Sequence, residues 1–242
     1  MMTTPTPPAE TPAQASATAT LSVRVWDLPT RAFHGALVAV VAGAIVTGEI
    51  GEPWMAWHFR CGEAALALLM FRLAWGVVGG RWSRFSAFPP SPARAARHLR
   101  GRPAAQDPPG VGHNPLGALS VWAMLALLLA QVATGLLADD EVSVTGPLNH
   151  LVGGHAARVA TRWHTFWGLD AIFGLLALHV LAVGWHVLRR REPLLRAMWT
   201  GDKPAPRGTP ASQDTALTRG LALGILLLAA AAVAALIARF GG

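Results

Sequence analysis

Residues 162–191 read RWHTFWGLDAIFGLLALHVLAVGWHVLRRR. The run between the flanking arginines is long and apolar enough to cross a bilayer as a helix. It carries three histidines, His164, His179 and His186. Imidazole is costly in hydrocarbon and is rare there without a partner. His164 and His179 stand 15 residues apart, which is about 22 Å along a helix axis. One therefore lies near each face of the membrane. A single histidine in an apolar helix is more often a hydrogen-bonded core residue than a ligand. The reading turns on whether other spans supply partners at the same two depths.

The chain has 242 residues, 52% hydrophobic and only 14% charged, which marks an integral membrane protein rather than a soluble domain. Its net charge of +7 comes almost wholly from arginine, since Lys203 is the single lysine. In such a protein this charge reports topology, not nucleic-acid binding.

Residues 1–22 are rich in Pro, Thr and Ala without an apolar run, and read as a disordered tail with no cleavable signal peptide. A first span is expected over 32–47, with Arg31 and His34 one helical turn apart. A second span, 54–78, carries His58 near its start and Arg72 further along. Gly62 lies one turn after His58, where a missing side chain would let a flat macrocycle approach. Arg72 returns to within about 40° of the His58 face, and an intramembrane arginine needs an anion. Residues 79–113 form an arginine-rich loop with at most a short helix over 91–100. Asn114-Pro115 suits the start of a third span, 115–138, with His113 at its mouth as an interfacial residue. The loop 139–161 opens Asp139-Asp140-Glu141 and holds His150 and His155. After the fourth span come Arg189, Arg190 and Arg191, a linker at 204–215, and a fifth span at 216–240 that carries no histidine. The expected division is a tail at 1–22, a bundle at 23–203, the linker, and a C-terminal helix at 216–242.

The loops after spans two and four are rich in arginine, whereas those after spans one and three are not. The positive-inside rule then puts the N-terminus in the cytoplasm and the C-terminus outside. With that orientation the histidines match by depth: His34 with His179 near the inner face, His58 with His164 near the outer. Arg31 and Arg72 fall near the inner pair, Arg60 and Arg162 near the outer. By depth alone His186 matches His34 as well as His179 does. His179 is preferred because His186 lies beside the basic cluster. The usual centre that takes imidazoles from facing helices of a bundle is haem, whose carboxylates would draw the arginines. No CxxCH occurs, so covalent attachment is not indicated, and the one cysteine, Cys61, cannot form an internal disulfide.

At these residues the chain resembles the bacterial di-haem cytochrome b family of the cytochrome b561 type, which includes cytochrome b subunits of nickel-iron hydrogenases. The resemblance is carried by VWDLPTRAFHG, WHFRCGEAALALLMFRLAWGVVGGRWSRFSAF, GHNPLGALSVWAMLALLLAQVATGLLADD and ALHVLAVGWHVLRRREPLLRAMWTGDK, most of residues 24–203. It implies a four-helix transmembrane bundle holding two b haems, with His34, His58, His164 and His179 as the iron ligands and His186 free of iron. The tail and fifth helix lie outside it. The chain departs from the family pattern at Gly35, where tryptophan is common, and at Thr165, where glutamate is common. Its two fourth-span ligands are 15 residues apart where the family usually has 14.

The expected fold is an all-α membrane protein, a four-helix haem-binding bundle with a fifth transmembrane helix. The expected function is transmembrane electron transfer between a redox partner at the outer face, a periplasmic cytochrome or a catalytic oxidoreductase subunit, and membrane quinone. The alternative is a membrane-anchor subunit of a larger oxidoreductase with no turnover of its own. A zinc hydrolase would need a general-base carboxylate beside its ligands, as in HExxH, and no such motif occurs. Glu63 and Asp170 could pass protons to quinone or serve only as buried polar partners. The Asp139–Glu141 acids could dock a basic partner or simply cap the surface. The extra residue between His164 and His179 would turn one ligand by about 100° in a regular helix. A wide π-type turn between residues 165 and 178 would absorb it, and 168–170 is the expected place because Gly168 is permissive and Asp170 can bond a freed donor.

Overall fold

The computed structural model describes residues 20–102 and 111–241. Its helices are α1 (Leu28–Ile50), α2 (Met55–Val78), the short α3 (Pro92–Leu99), α4 (Pro115–Leu137), α5 (Gly154–Leu188), the short α6 (Leu194–Thr200) and α7 (Ala216–Phe240). Among the described residues, α1, α2, α4, α5 and α7 are the five that are long and apolar enough to cross a membrane, and they lie where the sequence places its five spans. The short helix expected over 91–100 is α3.

Capping chemistry sets the helix starts. Asp27 accepts from the Thr30 backbone N–H at 2.8 Å, and Pro29 sits in the first turn of α1. Asn114 does the same for Gly117 at 2.7 Å, followed by Pro115. Thr215 and Thr218 cap each other reciprocally at the start of α7. Asp27 does more than cap. Fully buried, it also accepts from Trp75 Nε1 at 3.1 Å and Ser83 Oγ at 2.6 Å. It thereby ties the start of α1 to the end of α2 and the loop beyond.

α2 is the central span, with 44% of its membrane stretch buried in the chain against 6% for α5. It packs against α1, α4 and α7, whereas α5 packs chiefly along α4. The main core joins Phe33, Leu68, Leu69, Phe71, Trp75, Leu125 and Ala222. α7 is thus a packing element of α2. In lipid such contacts hold by close fit rather than by exclusion of water.

At the end of the bundle where α1 begins, β1 (Thr20–Arg24) pairs antiparallel with β2 (Asp202–Pro206). The ribbon uses residues 20–22, which the sequence assigns to a disordered tail, and 204–206, assigned to a linker. The rest of that tail, 1–19, lies outside the described residues. Arg24 bonds Asp202 and Asp214, each at 2.6 Å, and Ser212 donates to the Val25 carbonyl at 2.7 Å. The segment leading into α7 is therefore fastened to the start of α1.

His113 is drawn into this layer. The sequence treats it as interfacial, but its ring packs against Trp26 and Phe88 at 4.8 and 4.4 Å between centroids. Its Nδ1 is sealed from solvent without a partner. Burial, with Arg72 and Lys203 nearby, pushes its pKa down to about 3.

Candidate functional site

The histidines come from spans that start from opposite ends. His34 is on α1, His58 opens α2, and His164 and His179 share α5. His58 and His164 meet directly: their ring centroids are 5.8 Å apart and their planes cross at 84°. His34 and His179 lie close enough for a charge on one to be felt by the other. His186 is engaged elsewhere, its Nδ1 3.1 Å from Glu192 Oε1 in the polar segment after α5.

The His58–His164 pair has backbone supports of one kind on two helices. His58 Nδ1 bonds the Ala44 carbonyl of α1 at 2.8 Å, and His164 Nδ1 bonds the Gln131 carbonyl of α4 at 2.8 Å. A carbonyl only accepts, so each Nδ1 carries the hydrogen and each Nε2 keeps its lone pair. Four residues past each carbonyl stands a glycine. A Cβ on Gly48 would lie 3.0 Å from His58 Nδ1, and one on Gly135 would lie 2.6 Å from His164 Cε1. The bare backbone lets each ring lie against the helix and reach the carbonyl. Thr47 and Thr134, just before these glycines, turn their hydroxyls back onto their own helices.

His164 sits in a wide turn. Residues Trp163–Trp167 are π-helical, with the Gly168 N–H bonded to the Trp163 carbonyl five residues back. The irregularity expected from the 15-residue spacing is present, but it falls about one turn before 168–170. Gly168 serves instead for close approach, since a Cβ there would lie 2.1 Å from Gln131 Oε1.

The other expected residues are placed as follows. A Cβ on Gly62 would meet nothing of this chain within 4 Å. Arg31 Nη1 donates to the Trp199 carbonyl at 2.5 Å, and its Nε is buried without a partner. Arg72 is buried, donates from Nη2 to the Ser83 carbonyl at 3.0 Å, and lies over Phe85 at 4.7 Å. Its Nη1 has no partner, and among the described residues it forms no ion pair. Arg60 stacks on Trp57 at 5.0 Å. Asp170 is exposed and Glu63 half-buried. Asp140 turns onto its own loop, where the N–H groups of Val144, Val142 and Ser143 hold its carboxyl below the usual range.

The donor set fits a metal held between two imidazoles. With metal–nitrogen bonds of about 2 Å, two such rings have centroids roughly 6 Å apart, which the His58–His164 spacing of 5.8 Å matches. Both rings also carry the tautomer that a metal needs, fixed by carbonyls behind them. Among the described residues no three His, Cys, Asp or Glu side chains gather as a metal site.

Comparison with known proteins bears on what such pairs hold. A profile of the family described as prokaryotic cytochrome b561 matches residues 25–201. The chain belongs to this family. It is 23% identical over 208 residues to the probable Ni/Fe-hydrogenase 1 B-type cytochrome subunit of Escherichia coli (strain K12), covering 71% of this chain and 83% of that one. The counterpart from Escherichia coli O157:H7 is equally similar. No solved structure matches. This cytochrome b561 is a helical membrane bundle whose cofactor is haem b and whose function is electron transfer across the membrane.

Two of its supporting glycines, Gly48 and Gly135, are missed in the reading of the sequence, though a signal for them exists. Each follows a threonine near the end of a span, in AIVTG (44–48) and QVATG (131–135).

Proposed function

We propose that electrons cross the membrane through two b haems in this cytochrome, one ligated by His58 and His164 near the outer face and one by His34 and His179 near the inner. The observation that carries this is the His58–His164 pair, with rings 5.8 Å apart and each Nδ1 anchored to a carbonyl of a third or fourth helix. When bound, haem supplies a one-electron carrier, and with two imidazoles on iron no position is left for a substrate. The chain's part is to orient the imidazoles, exclude water and set the local charge. Gly62 leaves room beside His58 for a flat ring. Arg31 and Arg72, each with a buried unpartnered nitrogen, place positive charge at the inner centre, where they favour its reduced form and receive carboxylates.

The arginine-rich loops put the N-terminus in the cytoplasm and the C-terminus in the periplasm. Electrons then pass between a partner at the outer face and membrane quinone. The similarity to a probable Ni/Fe-hydrogenase cytochrome subunit favours a catalytic oxidoreductase subunit, a nickel-iron hydrogenase, as that partner, so that this chain is its membrane anchor and electron acceptor.

A redox-titrated visible spectrum of histidine variants tests the assignment. His58→Ala and His164→Ala each remove one haem signal, and His34→Ala and His179→Ala each remove the other. His186→Ala leaves both. Loss of a haem in His186→Ala with retention of both in His179→Ala would overturn the inner pairing.

A further inference from the structure

A wide turn leaves one carbonyl of its helix without the usual donor. In α5 the Gly168 N–H goes to Trp163, so the carbonyl it would meet in a regular α-helix, that of His164, is released. At membrane depth no bulk water takes over, and such a group must find a partner within the protein. It finds Gln131 on α4, whose Nε2 donates to the His164 carbonyl at 2.7 Å. The same residue's backbone carbonyl accepts from His164 Nδ1 at 2.8 Å. Gln131 therefore grips His164 at both ends, main chain and ring.

Two glycines make this grip possible. A Cβ at Gly168 would lie 2.1 Å from Gln131 Oε1, and one at Gly135 would lie 2.6 Å from His164 Cε1. The arrangement carries a cost, because Gln131 Oε1 is buried with no hydrogen-bond partner. His58 provides the contrast. It lies in the uninterrupted helix α2, and its Nδ1 is held by the Ala44 carbonyl, with no side-chain amide on it among the described residues. Of these two histidines, the one in the widened helix is the one that has the amide.

We propose that Gln131 is a positioning residue of the His58–His164 centre, its side-chain amide holding the wide turn of α5 open while its carbonyl fixes the His164 ring. The direction of the ligand is then set by α4, a span that supplies no ligand. This is how the chain keeps His164 and His179 serving one bundle interior despite their 15-residue spacing. The inference rests on the reading of His164 as an iron ligand, and it deepens that reading by naming what fixes the angle between the two imidazole planes, 84° in the structure.

Gln131→Met, which keeps length and removes the donor, tests it in the full-length purified protein. The first readout is the low-spin EPR signal of each haem, which follows the angle between ligand planes. The second is hydrogen exchange of the 163–168 backbone, compared with wild type in the same haem state. Gln131→Met should shift the largest g value and the midpoint potential of the His58–His164 haem alone, and should speed exchange at 163–168 by about tenfold, the loss of roughly one hydrogen bond, with 216–240 unchanged. Should the variant assemble without haem, exchange is compared with haem-free wild type: a selective rise at 163–168 supports the proposal, and exchange equal to that control overturns it. Unchanged EPR, potential and exchange also overturn it. If His164→Ala keeps both haem signals, the ligand reading fails, while the exchange measurement still tests the grip.

Discussion

Gly135→Ala puts a methyl group where the His164 ring lies. The added Cβ would stand 2.6 Å from Cε1 and 2.9 Å from Nδ1, inside any ordinary carbon contact, which begins near 3.5 Å. The ring must retreat by roughly 1 Å. That breaks its bond of 2.8 Å to the Gln131 carbonyl, a loss of about 1 kcal/mol. Overpacking adds about 1–3 kcal/mol, because the ring is confined by α4 and cannot swing away as a flexible chain end would. Replacing glycine inside a helix returns about 0.5–1 kcal/mol. The net cost is about 1–3 kcal/mol, felt by the haem-bound form because the ring's placement is what ligation requires. Affinity for the His58–His164 haem then falls by roughly 5- to 150-fold. Gly48→Ala is the graded comparison: its Cβ would stand 3.0 Å from His58 Nδ1 and 3.2 Å from Cε1, so a smaller shift suffices and the loss is smaller. The assay is haem retained per chain through a dilution series, with a redox-titrated spectrum of each variant. A Gly135→Ala protein that keeps both haems at wild-type affinity and midpoint would refute the reasoning.

Two further outcomes follow from the layer where α1 begins. Arg72→Leu should lower the midpoint of the inner haem, because it removes a buried positive charge that favours the reduced form, and unchanged midpoints in both haems would show that Arg72 serves only Ser83 and the Phe85 ring. His113 is held neutral in the fold with its pKa down at about 3, against about 6.5 unfolded; the unfolded chain therefore binds the extra proton in between, and stability should fall as pH drops below about 6.5. Thermal unfolding from pH 7.5 to 5 should show that fall, and His113→Phe should flatten it.

The spans were legible because each is a long apolar run with a polar boundary, and the Asn114-Pro115 start of α4 follows from local capping alone. The Asp27-Leu28-Pro29 start of α1 carries the same signal, but the further role of Asp27 depends on Trp75 and Ser83, which only the fold brings to it. The irregular turn could be inferred from a 15-residue spacing set against a family habit of 14. Its position could not, because it is chosen by a partner on another helix rather than by the local freedom of Gly168. The sequence reads Arg72 as needing an anion; the chain itself gives it a carbonyl and two aromatic faces, Phe85 and Phe88, at 4.7 and 5.9 Å, and leaves its Nη1 without a partner. The ribbon is hidden in the sequence for a simpler reason. Thr20–Arg24 and Asp202–Pro206 lie at opposite ends of the bundle sequence, and the second contains prolines, which suit an edge strand but read as linker.

Haem stoichiometry tests the central claim most directly. Pyridine haemochrome quantification of the purified protein, against protein determined by amino-acid analysis, should give two haem b per chain, both extracted by acidified solvent. One haem per chain, or haem that stays with the polypeptide after extraction, would contradict the pairing of His34 with His179 and His58 with His164.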